Sequence, residues 1–185
     1  MMNSKTMRGI GLILGIGAAL LMMLFLPRQF TPSAAQDVQP TPEPPKPVIT
    51  FASQNMFERG MMIWRQDTRQ VYVFHDPTGA NCRGTVEVYT ENWQEGQPET
   101  DPAFDANTGP GRVQPMRGMG QVWRNNPNVR ENIGFARGIE TGYTMMTFQS
   151  GNKTWLSGES HDVIIIEGNQ WTKIDIASDH CHNPY

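Results

Sequence analysis

The sequence predicts a mainly β protein: two repeated three-stranded antiparallel meanders with one or two short helices between them, preceded by a single N-terminal transmembrane helix. Three observations carry that reading. Phe57-Glu-Arg-Gly60-Met-Met-Ile-Trp64 matches Phe148-Gln-Ser-Gly151-Asn-Lys-Thr-Trp155, so that Phe, Gly and Trp recur at an offset of 91. Each copy is followed by short β-branched and aromatic runs, the residue types that suit a pleated, half-buried surface. Residues 9–26 form a run of 18 positions without a charge.

The N-terminal elements read as follows. Residues 1–8 carry Lys5 and Arg8 ahead of the apolar run, a bias that keeps such a tail in the cytoplasm. At 1.5 Å per residue the run 9–26 spans about 27 Å, enough to cross the hydrocarbon layer as a transmembrane helix or signal-anchor. The alternative is a signal peptide cleaved after Ala35, behind the small residues Ser33-Ala34-Ala35. Gly11 and Gly15 have the Gly-x-x-x-Gly spacing that lets a second membrane helix approach closely. No cysteine follows the run closely, which argues against a lipoprotein. Residues 27–48 hold seven of the fourteen prolines and read as an extended, polyproline-like linker, or alternatively as a ligand for a proline-binding module. Either way residues 49–185 are expected outside the cytoplasm.

Within that domain the copies are expected at about 57–90 and 148–176. Strands 71–74 and 85–89 follow the first Phe-x-x-Gly hairpin; 163–166 and 171–176 follow the second. Glu167-Gly168-Asn169 is a hairpin turn, since Gly and Asn tolerate positive φ. Gly60 and Gly151 are expected at equivalent positions where a side chain does not fit or φ is positive. Between the copies, 94–115 is rich in Gly, Pro and Asn and reads as a surface loop. One helical turn over 118–125 packs Val122 and Trp123. A short helix follows over 127–133, with Asn126 as N-cap, Pro127 at its first position and Gly134 at its stop; Val129 and Ile133 form its buried face.

Candidate chemistry is sparse. The net charge of −3 and pI near 5.8 argue against a nucleic-acid binder driven by phosphate contacts. Cys82 and Cys181, the two cysteines of an exported domain, are expected to form a disulfide. The alternatives are free thiols or a metal held with His75, His180 and His182, whose spacing is unlike that of structural zinc sites. No nucleophile elbow, metalloprotease helix or phosphate loop occurs. Ser160-His161-Asp162 holds the residue types of a triad, but neighbours on a strand face opposite ways. Glu58, Glu87 and Glu91 have no spacing that marks a glycosidase pair. Asp105 to Gly109 has only part of a calcium-loop pattern. The chain is therefore expected to be non-catalytic and to need no cofactor. Trp64, Trp93 and Trp155 are the candidate ligand-binding rings, with core packing as the alternative, above all for Trp64 and Trp155. Arg59 and Arg117 are candidate partners for ligand acids, since Arg favours planar pairing and stacking.

Phe-Glu-Arg-Gly-x-Met-x-Trp, the Val-Tyr-Val strand, Gln-Pro-x-Arg-Gly-x-Gly-x-Val-Trp-Arg and Ile133-Gly134-Phe135-Ala136 together resemble a repeat module of exported bacterial proteins. The pattern is similar to LGFP-type repeats, in which a Phe-x-x-Gly hairpin alternates with a short helix ending in Leu-Gly-Phe-Pro. That resemblance spans about residues 54–176 and implies association with the cell wall or its glycans, without catalysis. The chain departs from it in having one helical unit, and in an insertion over 75–85 that the second copy lacks. The expected function is a membrane-anchored extracytoplasmic module that binds a cell-wall glycan or an envelope protein and not nucleic acid. The alternative is an accessory subunit of a membrane complex.

Overall fold

The computed structural model describes residues 46–76, 78, 80, 82–175 and 181. Four strands come first: β1 (Val48–Phe57), β2 (Gly60–Arg65), β3 (Gln70–His75) and β4 (Arg83–Thr90). A 3-10 helix over Pro102–Asn107 and the helices α1 (Arg117–Asn125) and α2 (Pro127–Ile133) follow. Then come β5 (Thr141–Ser150), β6 (Lys153–Ser157), β7 (Asp162–Glu167) and β8 (Gln170–Asp175). The strands close into one antiparallel barrel in the order β1-β2-β3-β4-β8-β7-β6-β5.

The expectation of two three-stranded meanders is thereby corrected. Each half is a four-stranded meander, and the two halves share one barrel. The additional strands are β1 and β5, which pair over seven positions from Val48–Thr147 to Gln54–Thr141. Their inward face mixes Thr50, Ala52 and Gln54 with Met145 and Thr147, so neither shows the apolar alternation that marks a strand in sequence. Three-stranded units would leave exposed edges; closure removes them. Among the described residues no helix is long and apolar enough to cross a membrane. The expected segment 9–26, with Gly11 and Gly15, lies outside the described residues, as do His180 and His182.

Two apolar clusters organise the domain. Met61, Ile63, Tyr72, Phe74, Leu156, Ile164 and Trp171 belong to the one inside the barrel. The other lies outside it, where Met62, Val71 and Val73 pack beneath Trp123, Val129 and Ile133 of the helices. Strands β2 and β3 are therefore buried on both faces, which is why they read as near-continuous apolar runs. On β7 buried residues alternate with half-exposed ones, because no helix covers its outer face.

Helix α1 is longer than the single turn expected. Trp123, fully buried, donates from Nε1 to Gly134 O at 2.7 Å and sits between the rings of Phe104 and Phe135. Helix α2 has the expected bounds, with Pro127 in its first turn and Gly134 at φ 76° ending it. Asn126 makes no side-chain cap to α2; its Nδ2 donates backwards to Val122 O, closing α1. The segment expected as a loop contains the 3-10 helix, capped by Asp101, whose carboxylate accepts from Ala103 N.

The motif copies occupy different positions in their hairpins. The closing pairs are Phe57 with Gly60 and Ser150 with Lys153, so structural equivalents lie 93 residues apart, not 91. Phe57 is buried beneath the helical cover, whereas Phe148 pairs with Trp155 across β5 and β6. Gly60 and Gly151 therefore do different jobs. Gly60 has φ 144°, and a Cβ there would lie 2.0 Å from the Phe74 carbonyl oxygen. Gly151 is a turn residue at φ 61° with open space around it.

Cys82 and Cys181 form a disulfide, S–S 2.03 Å, across 99 residues of sequence. Cys82 immediately precedes β4, and its carbonyl accepts from Lys173 N of β8 at 2.7 Å. The bond thus reinforces the β4–β8 seam, which has only three ladder pairs against seven at β1–β5.

Two outcomes are expected. Gly60→Ala should destabilise the protein by about 3 kcal/mol or more, through both strain and overlap, and Gly151→Ala by about 1 kcal/mol; equal thermal midpoints for the two variants would contradict the distinction. Reducing the disulfide should remove roughly 4–5 kcal/mol in the chain-entropy model. Amide exchange should then rise first in β4 and β8; a first rise in β1 and β5 would place the weak seam wrongly.

Candidate functional site

A cleft of about 650 Å³ opens on the outer face of the barrel, between β1, β2, the segment after β4, the start of α1 and the start of β5. Its floor follows from register. Ser53 pairs with Trp64 on one side and Gly142 on the other, so these three form a row across β2, β1 and β5 on one face. The Phe51 ring lies over Gly142: a Cβ there would come within 2.7 Å of Phe51 Cζ. Phe51 meets Trp64 edge to face with centroids 6.4 Å apart.

The opposite wall comes from the chain leaving β4. Glu91 N donates to Arg69 O at 2.8 Å, and Arg69 Nη2 donates to Glu91 Oε2 at 2.5 Å and to Trp93 O at 3.2 Å. Gly118 leaves room for the Glu91 side chain, since an added Cβ would lie 2.4 Å from Glu91 Cγ. Arg117, the first residue of α1, has its guanidinium 5.9 Å from the centre of the Trp93 ring and donates from Nε to Glu99 Oε1 at 2.8 Å. Arg69 and Arg117 both hold left-handed backbone, with φ near 50°. This is sparsely populated for a residue with a long side chain, and such residues cluster at functional sites.

Glu140 completes the cleft. Ser53 Oγ donates to its Oε2 at 3.1 Å. Burial pushes its carboxyl above the ordinary range, only partly offset by that bond and by Arg117. Among the described residues, three buried polar atoms of the lining have no partner: Trp64 Nε1, Glu91 Oε1 and Glu140 Oε1.

Of the five residues singled out as ligand-binding, Trp64, Trp93 and Arg117 meet in this cleft. The other two lie elsewhere. Trp155 stacks on Phe148 with ring planes 3° apart on the outer face of the second half. Arg59 holds the end of α2, with Nε donating to Asn132 O and Nη2 to Glu131 O, a favourable place for a cation. Trp123 and Trp171 are core residues. Of the carboxylates weighed for catalysis, Glu91 lies in the cleft. Glu58 binds Arg112 and Phe135 N, which together lower its pKa, and Glu87 accepts from Tyr89. Asp105 accepts from Gln114 Nε2, and Asp162 lies 3.7 Å from Lys173 Nζ. Among the described residues no group of three or more His, Cys, Asp or Glu is placed to hold a metal ion. Phe51, Arg69 and Glu140 are cleft residues that the sequence reading missed; each lies in a stretch without a motif.

Compared with protein-family models, with curated proteins and with solved structures, the chain matches none.

The Glu140 shift has a direction that stability measurements can read. The folded chain keeps this proton to a higher pH than the unfolded chain, so stability falls as pH rises from the ordinary carboxylate value through the raised one. Glu140→Gln removes that fall. The variant should melt above the parent at pH 7 and together with it at pH 4; coincident midpoints at pH 7 would count against a buried, proton-retaining Glu140.

Proposed function

We propose that the chain is a non-catalytic, membrane-anchored extracytoplasmic module whose cleft binds a cell-wall glycan. The observation that carries this reading is the convergence of Phe51, Trp64 and Trp93, from three separate stretches of chain, on one concave surface beside carboxylates and guanidinium groups. Flat rings stack against the C–H faces of a sugar ring, while the polar lining bonds its hydroxyls. The disulfide supports an oxidising compartment outside the cytoplasm.

A second reading, an accessory subunit capping a membrane complex, draws on a different surface. Ile49 of β1 and Met146 of β5 pair across the seam on the outer face, 69% and 50% exposed. Such a patch suits a protein partner.

The two readings separate by mutation. Phe51→Ala and Trp93→Ala should each weaken retention on isolated cell-wall material by about tenfold or more, the scale of an anchor residue in a binding surface. Ile49→Ser with Met146→Ser should leave that retention intact. The reverse pattern, with the seam variant losing a co-purifying membrane protein and the cleft variants retaining wall binding, would favour the accessory role.

A further inference from the structure

The central cleft does not stand alone. It shares Trp93 with a cleft of about 390 Å³ bordered by Gln97, Pro98 and Arg124. It shares Arg117 and Glu140 with another of about 420 Å³ bordered by Asn55, Gln114 and Ile139. A partly exposed aromatic ring marks the first junction, and a guanidinium with a carboxylate marks the second. A site for one small molecule would be closed at its ends; this one continues past both.

The unmet polar chemistry leans towards acceptors. Among the described residues, Glu91 Oε1 and Glu140 Oε1 in the central cleft and Asn55 Oδ1 in the adjoining one are buried oxygens without a partner, and Trp64 Nε1 is the buried donor without one in the central cleft. An unmet buried acceptor is unfavourable, and each therefore calls for a donor. The cations are already engaged: Arg69 is bound to Glu91 and Arg117 to Glu99. Both guanidinium groups of the central cleft are thus already paired with a carboxylate, and Glu95 adds a further negative charge. Ile139, 83% exposed at the far end, offers an apolar contact.

We propose that the three clefts form one track for a linear, uncharged glycan rich in hydroxyl or amide N–H donors, recognised along its length rather than at one terminal sugar. This rests on the glycan-binding reading above and specifies its ligand. Trp64 and Trp93 then stack against sugar faces. Ring hydroxyls and acetamido N–H groups meet the unpartnered acceptors, and an acetamido methyl meets Ile139. A polyanionic chain is disfavoured by the carboxylates, and the cations it meets in the central cleft are already paired.

The test is a calorimetric titration of the full chain in detergent with β-1,4-linked N-acetylglucosamine oligomers of one to six units, beside an oligogalacturonate of equal length. Affinity should rise with length, on the order of tenfold or more between the single sugar and the longer oligomers, and the acidic oligomer should bind far more weakly. Ile139→Asp, at an exposed position at the far end of the track, should flatten the length dependence. Equal affinity for one unit and six would overturn the track while leaving the binding module standing. Preference for the oligogalacturonate would overturn the ligand class alone. Absence of binding to every saccharide would overturn both this inference and the glycan reading on which it rests.

Discussion

Met61 and Ile63 face the barrel interior, while Met62 between them lies beneath the helices; Tyr72 and Phe74 alternate in the same way with Val71 and Val73. This burial of β2 and β3 on both faces is the constraint on which the rest of the structure depends. It ties the segment between the halves to the first half only, with Trp123 as the largest fully buried anchor. Removing so large a buried side chain typically costs about 3–5 kcal/mol. The same packing brings α1 to the barrel wall with its first residues facing Glu91 and Trp93. Without the cover the cleft would lose Arg117, Gly118 and Met119 from its lining.

The halves share a topology without sharing surroundings. Both are four-stranded meanders, joined through β1–β5 and β4–β8. Only the first carries helices. In the second half the outward positions of β5 and β6 hold the stacked Phe148 and Trp155 and several polar residues, as a sheet face without a helical cover requires. The unequal seams also assign the disulfide its role, since covalent reinforcement matters most where the ladder is shortest.

The cleft is assembled by backbone geometry as much as by side-chain identity. Register across β1 aligns Ser53, Trp64 and Gly142. Glycines at 118 and 142 make space for a carboxylate and a ring. Two arginines in left-handed conformation turn the chain so that guanidinium groups stand beside Glu91 and Trp93. The result is an aromatic surface with paired cations and, among the described residues, unmet buried polar atoms.

By itself the sequence determined the β character, the punctuation of α2 by Pro127 and Gly134, the cysteine pairing and the identity of three of the cleft's residues. These depend on local chemistry: β-branched runs, a proline that cannot continue a preceding helix, an even thiol count, aromatic side chains near loops. Tertiary structure alone decided the strand count, the closure into one barrel and the meeting of Trp64, Trp93 and Arg117 with Phe51, Arg69 and Glu140. β1 and β5 are stabilised by their neighbours and carry polar residues inward, so no periodicity reports them. The 91-residue repeat falls two positions from the true hairpin register, because pairing is set by where each turn closes and by what covers each face. A cleft lined by residues from 51 to 142 is a property of register and packing, and no spacing along the chain encodes it.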